Sequence, residues 1–191
     1  MLVIGVAMLQ GSRHEHMHSL QQSSNLLGFE ITIRELRKSS DVEGIDALVL
    51  PGGESTAMKI AGKSEELYQK LWEYITKSRI PVLGTCAGAI LLSQKKLISA
   101  DIERNAFGRQ INSFESELRI DFENNSKFQG VFIRAPRFSG GSDNAIAWLN
   151  DEVVGIKEGE IVALTFHPEL TENLLFHNWL IQSAKSRLDE I

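Results

Sequence analysis

The chain begins with an unbroken apolar run, Leu2-Val-Ile-Gly-Val-Ala-Met-Leu9. A strand with one wet face alternates apolar and polar residues, so a continuous run needs cover on both faces. Ala47–Leu50, stopped by Pro51-Gly52-Gly53, and Pro81–Gly84 repeat this pattern. Between them lie stretches with helical spacing. Met17, Leu20 and Leu27 share one face of His14–Leu27, with Gly28 as its C-cap. Ile31 and Ile33 mark a short strand, and Tyr68, Leu71, Trp72 and Ile75 mark a second helix. Ala87–Gln94 reads as a third. Strand and helix in alternation predict an α/β fold with a mostly parallel, doubly wound sheet flanked by helices.

The rhythm changes near Leu97. Leu118–Phe122, Val131–Ile133, Ala145–Leu149, Val153–Ile156 and Ile161–Phe166 are short strands with little helix between them. They predict antiparallel additions in the C-terminal half. A closing helix carries Phe176, Leu180, Ala184 and Leu188 at i+4, beside Leu175 and Trp179. No repeat or linker divides the 191 residues, which fits one domain over 1–191.

Composition excludes several classes. The chain is 42% hydrophobic and 24% charged, a globular balance. Its net charge of −5 lacks the basic surplus of a nucleic-acid binder. No stretch approaches the ~20 apolar residues of a membrane helix. The N-terminal run has no basic flank or small-residue cleavage pattern, so it reads as a buried strand and not a signal peptide. The single cysteine, Cys86, allows no internal disulfide and points to a reducing, cytoplasmic setting.

That cysteine sits in Gly84-Thr85-Cys86-Ala87-Gly88, between a predicted strand and a predicted helix. Such a turn lifts a side chain to the sheet edge where open α/β sheets bind ligands. The flanking glycines allow unusual backbone angles, and the helix N-terminus favours a thiolate. A buried structural thiol is the plainer alternative. A nucleophile also needs a base and an orienting group. Phe166-His167-Pro168-Glu169 offers both just past an apolar strand. On extended backbone residues two apart point the same way, which would bring Glu169 to the His167 imidazole. Oxyanion donors are available in the glycine N–H groups of Pro51-Gly52-Gly53-Glu54-Ser55-Thr56 and in the N–H of Ala87. The same loop also reads as an ordinary capped turn.

Together these blocks resemble a class I (triad) glutamine amidotransferase and, more narrowly, the glutaminase subunit of pyridoxal 5′-phosphate synthase, the PdxT family. The resemblance runs through Leu9-Gln10-Gly11 and Glu15-His16, Leu50–Thr56 and Gly84–Gly88. It continues through Glu103–Gln110, Ser113-Phe114-Glu115, Val131–Pro136 and Phe166–Thr171. Most class I glutaminases carry Gly-x-Cys-x-Gly-x-Gln at the elbow; Ile90 in the last position suits the pyridoxal-phosphate branch.

The resemblance implies a flavodoxin-like amidotransferase fold and hydrolysis of L-glutamine to glutamate and ammonia. It implies Cys86 as nucleophile, with His167 and Glu169 completing the triad. Gly52, Gly53, Glu54, Arg104, Ile133 and Arg134 would bind glutamine; Gly53, Ala87 and Gln10 would belong to the oxyanion site or the partner interface. A guanidinium suits the substrate α-carboxylate and a carboxylate suits its α-ammonium. The implied partner is a TIM-barrel PdxS synthase subunit in a large hetero-oligomer, with no cofactor, metal, nucleic acid or membrane. Alternatives are a glutaminase serving another synthase, such as imidazole glycerol phosphate synthase, or a non-catalytic subunit of the same fold. Relative to the family, the stretches between Leu92 and Glu103 and between Pro136 and Val154 are short, and both read as surface loops. His14, His16 and His18 alternate on a helix, so they do not converge on one ion and read as a surface cluster at the helix start.

Overall fold

The computed structural model describes residues 1–8, 11–53, 62–103 and 113–190. Strand β1 spans Leu2–Ala7, β2 Ile31–Leu36, β3 Ala47–Leu50 and β4 Val82–Thr85. Between them run helices α1, Arg13–Leu27, and α2, Gly62–Ser78; α3, Ala87–Gln94, follows β4. The C-terminal half adds β5, Asp101–Glu103, β6, Ser113–Phe122, β7, Asn125–Ile133, and β8, Arg137–Ser139. It ends with β9, Ala145–Leu149, β10, Glu152–Glu158, β11, Ile161–Leu164, and helix α4, Leu175–Asp189.

Nine strands form one sheet in the order β2-β1-β3-β4-β11-β10-β9-β6-β7. The pairs β1–β2, β1–β3, β3–β4 and β4–β11 are parallel; β10–β11, β9–β10, β6–β9 and β6–β7 are antiparallel. The expected parallel core with antiparallel additions is therefore present. Every residue of β3, β4 and β11 is buried, as their continuous apolar sequences require. Alternate residues serve opposite faces. Ala47, Val49, Leu83 and Leu164 join a core with Phe176 and Leu180 of α4 and Leu20 of α1. Leu48, Leu50, Val82 and Ala163 join a second core with Leu67, Leu71 and Ile75 of α2. Gly28 closes α1 in the left-handed region at φ 69, with its N–H donating to Ser24 O.

Several boundaries differ from the sequence reading. Leu9 lies outside the described residues, and β1 ends at Ala7. The strand predicted as Ile161–Phe166 ends at Leu164. Strands β6 and β7 begin well before their apolar stretches, because pairing with each other carries the polar residues Ser113–Glu117 and Asn125–Lys127 into the ladder. The two short stretches are not simply surface loops: β5 and β8 fall within them and form their own antiparallel pair. Its residues pair Ile102 with Phe138, and both pack against the second core. Among the described residues, no helix is long and apolar enough to cross a membrane.

Candidate active site

The parallel strands deliver the site residues to one edge of the sheet. Cys86 follows β4 directly and its N–H donates to Leu164 O at the end of β11, 2.8 Å away. Its backbone adopts φ 47 and ψ −103, a conformation that strains any residue with a Cβ. The unusual angles thus fall on Cys86 itself. The flanking glycines serve another need, close packing. A Cβ on Gly88 would lie 2.0 Å from Leu50 O, and one on Gly84 2.5 Å from Leu92 Cδ1. The turn is a sharp elbow wedged between β3 and α3, and it leaves Cys86 7% exposed.

His167 approaches from β11. Its N–H donates to Val131 O of β7 at 2.8 Å, which ties the loop after β11 to the antiparallel half. Cys86 lies close enough to His167 to favour the protonated imidazole. Gly52, in the loop after β3, is the floor beneath both. A Cβ there would meet His167 Cε1 at 2.4 Å and Cys86 Cβ at 3.2 Å. The preceding loop closes on this floor: a Cβ on Gly11, at φ 98, would lie 1.8 Å from Gly52 O. Glycine at both places is a condition for assembling the site.

His167 Nδ1 lies 2.7 Å from Glu169 Oε1. The contact is made, but the backbone is not extended as expected. Pro168–Leu170 is a 3-10 turn with proline at its start, and the turn rotates the carboxylate back onto the ring. Glu169 is buried, and Ser12 Oγ also donates to Oε1. Burial alone would push the Glu169 carboxyl up; His16, His167 and the Ser12 hydrogen bond outweigh it and hold the carboxyl at about 2. Burial alone would push His167 down; the neighbouring Cys86, the hydrogen bond with Glu169 and the charge of Glu169 outweigh it and raise the imidazole to about 10. The site therefore favours an imidazolium beside a carboxylate.

Cys86 Sγ lies 3.9 Å from Ile133 O, at the end of β7. Ile133 is 40% exposed beside this thiol, and Arg134 follows in an exposed position at φ 45. Gly53 continues the Gly52 loop, and Ala87 opens α3 behind the nucleophile. Gln10, Glu54 and Arg104 lie outside the described residues.

One expectation fails. The three histidines of α1 are not a surface cluster. His14 and His18 are exposed, but His16 is 0% exposed. Its ring contacts Thr85 Oγ1 at 3.1 Å, His177 Nε2 at 2.9 Å and Glu169 Oε2 at 3.3 Å. Residues two apart on a helix face opposite ways, so one of the three turns inward while its neighbours turn out. The signal was available in the sequence: His16 precedes Leu20 by four residues and so shares its buried face. Ser12, Thr85 and His177 were likewise not singled out by their own chemistry.

Comparison with known proteins places the chain. Residues 6–186 match the SNO glutamine amidotransferase family. The pyridoxal 5′-phosphate synthase subunit PdxT of Methanocaldococcus jannaschii is 42% identical over 183 residues, covering 90% of this chain and 92% of that protein. PdxT of Thermococcus onnurineus is 36% identical over 198 aligned positions, covering 96% of this chain and 100% of the relative. A solved structure described as a glutamine amidotransferase superposes with a TM-score of 0.82 at 36% identity, covering 95% of this chain and 98% of that one. PurLQS from Thermotoga maritima, at a TM-score of 0.69 and 17% identity, shares the fold alone. With the elbow, the buried imidazole–carboxylate pair and the mixed sheet all in place, the chain belongs to the SNO glutamine amidotransferase family.

Proposed function

We propose that this chain is a glutaminase that hydrolyses L-glutamine through a Cys86–His167–Glu169 triad and delivers the ammonia to a PdxS synthase subunit making pyridoxal 5′-phosphate. The observation that carries the reading is the buried convergence of Cys86, His167 and Glu169 over Gly52. Cys86 thiolate attacks the side-chain amide carbon of glutamine. The electron pair moves onto the carbonyl oxygen, and backbone N–H groups of Gly53 and Ala87 are the candidate donors to it. His167, held as imidazolium, gives its proton to the departing nitrogen, and ammonia leaves. Water then attacks the glutamyl thioester with His167 as base, and glutamate departs. Glu169 keeps the imidazole in the tautomer that serves both steps.

Glutamine recognition falls to groups around this centre. Ile133 borders the thiol at the end of β7 and Arg134 follows it; Gly52 lies beneath the thiol and Gly53 follows it in the same loop. Arg134 and Arg104 suit the α-carboxylate, and Glu54 the α-ammonium. Gln10 belongs with the oxyanion site and the partner surface. The domain spans 1–191 and works in the reducing cytoplasm, where Cys86 stays a thiol. The curated relatives are named as subunits, so the acceptor chemistry lies on a partner chain. Glutamate release is measured for the isolated chain and with a PdxS subunit added. The expected result is stimulation by PdxS but not by the synthase partner of imidazole glycerol phosphate formation. Stimulation by the latter alone would reassign the partner.

A further inference from the structure

Two buried histidines stand behind the triad, and neither has a step in the chemistry above. His16 lies one turn into α1 and His177 near the start of α4; both are 0% exposed. We infer that His16 is a positioning residue: its Nε2, 3.3 Å from Glu169 Oε2, closes the far side of the carboxylate and keeps Oε1 turned toward His167 Nδ1. The inference rests on the triad reading.

The argument begins with Glu169. Its Oε1 is held by His167 Nδ1 and Ser12 Oγ. Its Oε2 is buried and has no aligned hydrogen bond among the described residues, while His16 Nε2 lies 3.3 Å away. The terminal torsion of glutamate is soft, so one anchored oxygen does not fix the carboxylate plane. A second contact on Oε2 does. His16 is also the neighbour that limits the cost of burying this oxygen.

The tautomers then follow. Burial pushes both His16 and His177 down, His177 to about 3, so both rings are neutral. A carboxylate only accepts, and a bare ring nitrogen beside it would be repelled, so the His16 proton belongs on Nε2, donated to Thr85 Oγ1 at 3.1 Å next to Glu169 Oε2 at 3.3 Å. His16 Nδ1 is then bare and accepts from His177 Nε2–H, 2.9 Å away. His177 Nδ1 is left without a proton and, among the described residues, without a partner. A bare ring nitrogen there leaves no N–H group stranded in the core. Both ring protons in the chain His177–His16 thus lie on the side nearer the carboxylate. The charged and titratable groups facing His16 are Glu169, His167, Glu15 and His177. Ser12 and His16 both belong to the start of α1, so this one turn grips both oxygens of Glu169.

The test compares His16→Ala and His16→Gln in the complex with the synthase subunit. Loss of a group that orients a catalytic residue costs about 10–100-fold in rate. His16→Ala is expected to lower kcat by that factor, with KM changed by less than about twofold. The upper ionisation in the pH profile of kcat/KM should fall, because Glu169 no longer holds the imidazolium as well. His16→Gln, which can still present an N–H near Oε2, should recover most of the loss. The inference is overturned if His16→Ala leaves kcat within about threefold of the parent. It is equally overturned if the pH profile stays put and glutamine at this position rescues nothing, since that is the signature of packing alone. A measurement on the unaltered chain needs neither variant nor activity. Imidazole ¹⁵N spectra at about pH 7 should show His16 neutral and protonated on Nε2. A cationic His16, or one protonated on Nδ1, contradicts the inference whatever the glutaminase assay shows.

Discussion

Gly52 and His167 come from different strands, yet a single methyl group on the first would sit 2.4 Å from Cε1 of the second. The loop after β3 is shaped to the imidazole that works above it. Gly52→Ala should therefore displace His167 and lower kcat by about a hundredfold, the order expected for a misplacement near 1 Å. Steady-state kinetics in the synthase complex, beside a thermal melt showing the fold intact, is the check.

Gly88→Ala should fail differently. Its Cβ would meet Leu50 O at 2.0 Å, and backbone cannot swing aside as a side-chain tip can. Overpacking of this kind costs about 1–3 kcal/mol. Chemical denaturation should show a loss at or above the top of that range.

Cys86 carries backbone strain at φ 47. Glycine relieves it, and non-glycine residues held in such regions cost about 1–3 kcal/mol. Part of that gain is offset by the greater freedom of glycine in the unfolded chain. Cys86→Gly is thus expected to abolish glutamine hydrolysis while raising stability by about 1 kcal/mol. An unchanged or lower denaturation midpoint would show that the elbow is not strained.

Stability should peak near neutrality. His167 is raised from 6.5 to about 10, so its contribution is complete below 6.5 and is lost as pH climbs to 10. His177 is lowered from 6.5 to about 3, so its contribution is complete above 6.5 and is lost as pH falls. Glu169, lowered from 4.5 to about 2, adds a further loss only below 4.5. Melting temperature against pH should trace a dome. In Glu169→Gln the alkaline arm should flatten, because the imidazolium loses its counter-charge, and kcat should fall by about 10⁴-fold.

The central sheet was legible because β1, β3 and β4 are built on continuous apolar segments, and proline flanks β3 and β4. Such segments leave no other way to satisfy both faces. The β5–β8 pair was not legible: each strand has three residues, and their pairing is set by distance across the chain, not by local pattern. The triad was visible as three residues in the right motifs. Its second layer was not. Helix α1 buries His16, Ser19, Ser23 and Ser24, polar residues that look like a solvated face until α4 covers them. The reach of Glu169 was anticipated for the wrong reason, since a 3-10 turn begun by Pro168, and not an extended strand, brings it to His167.

The most direct test of the account uses the Cys86→Ala chain assembled with its PdxS subunit, supplied with either glutamine or an ammonium salt. The account predicts no pyridoxal 5′-phosphate from glutamine and undiminished formation from ammonium, because only ammonia generation depends on the thiol. Continued synthesis from glutamine by this variant would contradict it.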